Sequence, residues 1–261
     1  MQEIRTVNVT RYVTPLREGG SLPAIVEADD GFLYVLKFRS AGQGLKALVA
    51  ELIGCEIART MGLKVPEIVF AELDASFGRT EPDEEIQDLL KWSVGLNLGV
   101  HFLSGTFMFD PSVQPPDAVL ASTIVWLDCL IMNVDRTVRN TNMLSWHKEL
   151  WVIDHGASLY FHHNWQNPAE QALKPFTAVK DHVLLPWATE LTTIDSTMRN
   201  MLTPEKIKAI VQLVPDNWLE DDVPEISIAE KQLGYETFLN TRIHHSTLFI
   251  NEALHASNTP I

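Results

Sequence analysis

Asp135 and Asn140 stand five positions apart in the polar stretch Asn133-Val-Asp-Arg-Thr-Val-Arg-Asn-Thr-Asn-Met-Leu144, and Asp154 follows in Leu150-Trp-Val-Ile-Asp-His-Gly156. Two carboxylates and an amide in this order suit phosphoryl transfer. One carboxylate, Asp135, would orient the acceptor hydroxyl and take its proton. The amide oxygen and Asp154 would hold the cation that bridges nucleotide phosphates. The loop offers two amides. Spacing from Asp135 selects Asn140 as the metal ligand, with Asn142 the second choice because it directly precedes the strand start at Met143. Arg136 and Arg139 would neutralise the phosphoryl group or simply form a solvated basic loop. On its own, Asp-x4-Asn is a common accident of loops; placed between an apolar run and a hairpin ending in Ile-Asp-x-Gly it is a stronger signal.

Further upstream, Lys37 is the single charge in the apolar strand pattern Phe32-Leu-Tyr-Val-Leu-Lys-Phe38. An ammonium there could hold phosphates and pair with an acid from the next helix. Glu51 and Glu56 compete for that place. Glu51 sits among the small residues Ala47, Cys55 and Ala58, which leave room for a long lysine, and is the favoured partner. Gly19, Gly20 and Ser21, between two strand patterns, could drape backbone amides over phosphates. They lack the spacing of any established phosphate loop and would equally make a plain turn. Ser21 is a turn serine unless it accepts phosphate itself.

These residues require elements to hold them. Strand patterns run over Val7 to Leu16, Leu22 to Ala28 and Phe32 to Phe38, with the turn Asp29-Asp-Gly31 between the last two. Apolar positions Leu45, Leu48, Val49, Leu52, Ile53, Ile57 and Met61 step at helical spacing, and Gly62 supplies the stop. Pro66 to Leu73 and Leu96 to Leu103 read as further strands, around an acidic segment (Glu81 to Gln87) that opens a helix. An apolar helix over Val119 to Met132 precedes the Asp135 loop, and a hairpin spans Met143 to Ile153. Beyond it the pattern is helical. The spacing thus predicts an α+β fold of two lobes in one domain, residues 1–261. A small antiparallel-sheet lobe with one long helix covers about 1–105 and a larger helical lobe about 106–261.

The chain has 261 residues, 46% of them hydrophobic and 21% charged, with a net charge of −14. Nucleic-acid binding relies on Lys and Arg neutralising phosphates, so direct binding is not expected, and any phosphate site must be built locally. Cys55 and Cys129 fall in apolar helical patterns and read as reduced core residues. The N-terminus has no signal-peptide pattern, and Asp128 interrupts the longest apolar run, so a cytoplasmic chain without membrane insertion is expected. The adjacent pairs His162-His163 and His244-His245 lack zinc-ligand spacing. The tryptophans read as packing, and Glu220 to Asp222 as a solvated helix end.

The order of these parts resembles the HipA-like kinases: Lys37 on a strand, Glu51 on a helix ending Gly62-Leu-Lys-Val-Pro66, the Asp135-to-Asn142 loop, then Asp154-His155-Gly156 where protein kinases carry Asp-Phe-Gly. Asp135-Arg136 also resembles the loop opening of the phosphoinositide kinases, which share the protein-kinase-like fold. The resemblance spans residues 5 to 160. It implies ATP and Mg²⁺ as cofactors and a serine/threonine protein kinase; a small-molecule or lipid kinase, or a nucleotide-binding pseudokinase acting by protein contact, are the alternatives. Adenine would meet main-chain groups near Val100 to Leu103. A protein or small-molecule acceptor and an antitoxin-like or regulatory protein partner are implied but not named. The chain departs from the family type in its shortness, which implies the loss of an extra N-terminal subdomain, in His155, and in the second asparagine.

Overall fold

The computed structural model describes residues 3–16, 22–77, 83–165, 167–220 and 225–258. Gly19, Gly20 and Ser21 lie outside the described residues. The first strands are β1 (Thr6–Pro15), β2 (Ala24–Ala28) and β3 (Leu33–Lys37), followed by the helix α1 (Leu45–Thr60). Next come β4 (Ile68–Leu73), the helix α2 (Glu84–Trp92) and β5 (Gly95–His101). The five strands close into a barrel in the order β1-β2-β3-β5-β4. Four of its five pairings are antiparallel; the closing one, β1 with β4, is parallel, with Val7 opposite Ala71. The expected small antiparallel sheet is therefore corrected to a mixed, closed barrel. Closure pairs the edges that an open sheet would leave free. Alternation along β3 sends Tyr34 and Leu36 into the barrel with Val7, Val9, Val26 and Val69, which leaves Val35 and Lys37 on the opposite face.

The rest of the chain is built on α3 (Ala118–Ile131), capped by the Asp117 carboxylate on the amides of Val119 and Leu120 at 3.0 and 3.1 Å. Ahead of it, just past the expected lobe boundary, a short strand β6 (Phe107–Met108) pairs with β7 (Met143–Trp146), which in turn pairs with β8 (Glu149–Val152). Among the described residues six α-helices follow: α4 (Pro168–Ala172), α5 (Leu191–Met201), α6 (Pro204–Val211), α7 (Asp216–Leu219), α8 (Ile228–His244) and α9 (Thr247–Asn258).

Helices α1 and α3 are buried on every side, from Leu48 to Ala58 and from Ala121 to Ile131. Both belong to one apolar core with β4, β5 and the later helices. Any charge on them must therefore be matched, since an isolated charge cannot be left in such surroundings. Arg242 of α8 meets the same demand for the end of α3: its guanidinium donates to the carbonyls of Cys129 and Leu130 at 2.5 and 2.9 Å, and to those of Ala172 and Lys174. The carbonyls of Cys129, Leu130 and Ala172 are among the orphan acceptors that a helix end leaves. Cys55 and Cys129 are buried and unbridged, as expected. No helix among the described residues is long and apolar enough to cross a membrane.

Candidate active site

The loop bearing Asp135 is shaped by the way α3 ends. Met132 turns left-handed, with φ 56°, and throws the chain out of the helix. Asn133 then folds back, donating to Asp128 at 3.0 Å while its own oxygen accepts from the Asp135 amide at 3.1 Å. Such side-chain to backbone bonds substitute for the helix ladder that has just been lost. Thr137 and Asn140 close the loop through reciprocal backbone bonds of 2.9 and 3.2 Å. The Asp135 carboxylate accepts the Asn140 amide at 2.8 Å and the Asn142 amide at 3.1 Å.

Asp154 follows β8 in the left-handed region, φ 59°, a conformation that aspartate tolerates better than most residues. It turns its carboxylate onto the Lys37 ammonium at 2.8 Å, across 117 positions of sequence. Lys37, Glu51, Asp135, Asn140 and Asp154 line one cavity of about 390 Å³, with Gly156 and Tyr160 at its wall. Asn142 is not among the lining residues; it is buried, donating to both the carbonyl and the carboxylate of Asp135.

Glu51 is held differently from the expected lysine partner. Its carboxylate accepts the backbone amide of His155 at 2.7 Å, while Lys37 bonds to Asp154 instead. The charges of Lys37 and Glu51 still act on each other. Burial alone would raise Glu51, but the Lys37 ammonium and the His155 bond overrule it and hold its pKa below the usual carboxylate range. Burial likewise penalises the Lys37 ammonium, yet Asp154 and Glu51 hold it above the ordinary lysine value. Both groups are charged at neutral pH. Glu56, the competing candidate, points elsewhere and pairs with Arg59 at 3.1 Å.

His155, which stands where protein kinases carry the Phe of Asp-Phe-Gly, is fully buried. Gly54 makes room for it: a Cβ on Gly54 would stand 2.5 Å from the His155 Cβ. Cys55, whose thiol burial pushes well above its usual pKa, lies 3.5 Å from the His155 Nδ1 and 3.7 Å from Glu51. Gly54→Ala would overpack this contact and shift His155, and with it Asp154. It is expected to destabilise the fold by about 1–3 kcal/mol in urea denaturation; an unchanged midpoint would mean the contact relaxes freely.

Arg136 departs from the sequence expectation. It is buried, not a solvated or phosphate-facing cation, and forms an ion pair with Asp128 at 2.5 Å. Asp128 also accepts from His182 at 2.8 Å. Arg136 holds Asp128 well below the usual carboxylate range against the cost of burial, with His182 helping. Neither Asp128 nor His182 was among the expected site residues. A lone acid in an otherwise apolar helix was the available signal for Asp128; nothing local marked His182.

A family model described as HipA-like kinase matches residues 9–244. The solved structures include the Helicobacter pylori proinflammatory kinase CtkA, at 13% identity and a TM-score of 0.52, covering 97% of this chain and 98% of that one. Another is the Golgi casein kinase with Mn/ADP bound, at 12% identity and a TM-score of 0.47, covering 98% of this chain and 74% of that one. A search of the curated proteins finds no match. The likeness to CtkA shows the kinase fold, and the family match extends over most of the sequence. The chain belongs to the HipA-like kinase family.

Proposed function

We propose that this protein is an ATP- and Mg²⁺-dependent kinase that phosphorylates a serine or threonine hydroxyl of a protein. The observation that carries the reading is the convergence of Lys37, Asp135, Asn140 and Asp154 on one cavity. The domain is read as two lobes, about 1–105 and 106–261, with the nucleotide between them and adenine near Val100 to Leu103. The donor set fits a hard cation: Asp154 offers a carboxylate, and Asn140, whose nitrogen is spent on Asp135, offers its amide oxygen. Mg²⁺ would be held by Asp154 and Asn140. Asn142, spent on Asp135 and absent from the cavity lining, is read as a loop residue.

When bound, Mg-ATP supplies the phosphoryl group and the charge that neutralises its oxygens. The chain's own residues do the rest. Lys37, now bonded to Asp154, would turn to the phosphates of a bound nucleotide, and Asp154 would then be free to hold the metal. Glu51 keeps Lys37 charged and holds the His155 amide, which fixes the backbone beside Asp154. Asp135 accepts the proton of the acceptor hydroxyl, steadied by the amides of Asn140 and Asn142.

ATP with Mg²⁺ is expected to raise the melting temperature. At a ligand concentration a hundredfold above Kd the stabilisation is about 2.7 kcal/mol. A melt unmoved by saturating Mg-ATP would count against nucleotide binding. Transfer from γ-labelled ATP to a generic protein substrate, to the chain itself, or to a panel of small-molecule alcohols tests the function and separates a protein kinase from a small-molecule one.

A further inference from the structure

We propose that Arg136 is a positioning residue that clamps the proton acceptor Asp135 and the metal carboxylate Asp154 at a fixed separation; this rests on the kinase reading above. Arg136 directly follows Asp135 in the chain. Its guanidinium donates to the carbonyl of Ile153, which directly precedes Asp154, at 3.2 Å, and to the carbonyl of Asn142 at the start of β7. One side chain thus ties the neighbour of each reacting carboxylate to the other. The Asn142 carbonyl also accepts the Ile153 amide at 3.1 Å, so both strands of the hairpin meet at the same point.

The clamp is itself held from behind. Asp128, at the base of the loop, receives four bonds: two from Arg136, one from Asn133 and one from His182. Four is about the full accepting capacity of a carboxylate. His182 is fixed in turn by the Leu184 amide, which donates to its Nδ1 at 3.0 Å, and the Val183 amide donates to the Arg136 carbonyl at 3.1 Å. Both charges of the pair are completely buried. A lysine could satisfy Asp128 as a point charge, but it lacks the planar fork that reaches Asp128 and two carbonyls together. A misplacement of about 1 Å in such a site costs on the order of a hundredfold in rate. The network therefore does more than fill the core.

Arg136→Lys tests the proposal, with Asp128→Asn as a second variant should the first fold poorly. Two readouts are taken well below each variant's melting temperature. The first is steady-state kinetics with Mg-ATP, where kcat is expected to fall by ten- to a hundredfold while KM for ATP stays within about twofold. The second is hydrogen exchange at the amides of Thr137, Asn140 and Ile153, expected to quicken at least tenfold while those of α8 stay unchanged. A variant that melts earlier but keeps wild-type kcat overturns the clamp, because the role is then only structural. Unchanged exchange at the three amides, or quickening spread evenly over the chain, overturns it too. If the wild type transfers no phosphate to any acceptor, the kinase reading fails, and the exchange measurement still decides whether Arg136 ties the two segments.

Discussion

Asp135→Asn is expected to abolish phosphoryl transfer while leaving nucleotide binding nearly intact. The substitution preserves shape, and an amide oxygen can still accept from Asn140 and Asn142, which bond the carboxylate at 2.8 and 3.1 Å in the wild type. What is lost is the group able to take a proton. General-base contributions are worth roughly 10²–10⁴-fold in rate, so kcat should drop by that amount or more with KM for ATP little changed. Asp154→Asn should behave differently, weakening the Mg²⁺ dependence of ATP binding as well as turnover. If Asp135→Asn keeps wild-type kcat on an acceptor that the wild type phosphorylates, Asp135 is not the proton acceptor.

The largest effect on stability is expected for Asp128→Ala. The carboxylate is wholly buried and bonds Arg136, Asn133 and His182. Its removal strands a guanidinium in the core. Breaking one side of a buried ion pair typically costs about 3–5 kcal/mol, because the remaining charge is neither solvated nor paired. That is a large share of the roughly 5–15 kcal/mol by which domains are stable, so the variant should unfold at far lower urea or accumulate poorly. A midpoint shift worth less than about 1 kcal/mol would mean that Arg136 finds water or another acceptor.

Much of this arrangement was legible in the sequence because its signals are local. The α1 pattern from Leu45 and the glycine stop at Gly62 gave the helix to within a residue of its observed end at Thr60. The turn at Asp29 to Gly31 gave the β2–β3 hairpin, with Gly31 at φ 80°. Spacing alone favoured Asn140 over Asn142 as the metal ligand; of the two, Asn140 lines the cavity.

What escaped depends on distance in the chain. The parallel closure of β1 on β4 joins residues 6–8 to 70–72, and side-chain alternation says nothing of which strand lies alongside. Charge bookkeeping failed similarly at Arg136. A basic residue in a polar loop reads as solvated until Asp128, on the preceding helix, and His182, 54 positions from Asp128, are seen beside it. The expected Lys37–Glu51 pair was half legible. The two groups act on each other's charge, but the bonds of the structure run from Lys37 to Asp154 and from His155 to Glu51. Sequence order could name the participants without fixing which oxygen meets which nitrogen.

The most direct measurement is a crystal structure with a non-hydrolysable ATP analogue and Mg²⁺. The expected result places the triphosphate in the cavity between Lys37 and Asp154, with oxygens of Asp154 and Asn140 about 2.1 Å from the metal. Lys37 should have moved from Asp154 to the phosphates, and Asn142 should remain turned into the loop. A nucleotide bound away from this cavity, or a metal that touches neither Asp154 nor Asn140, would contradict the account.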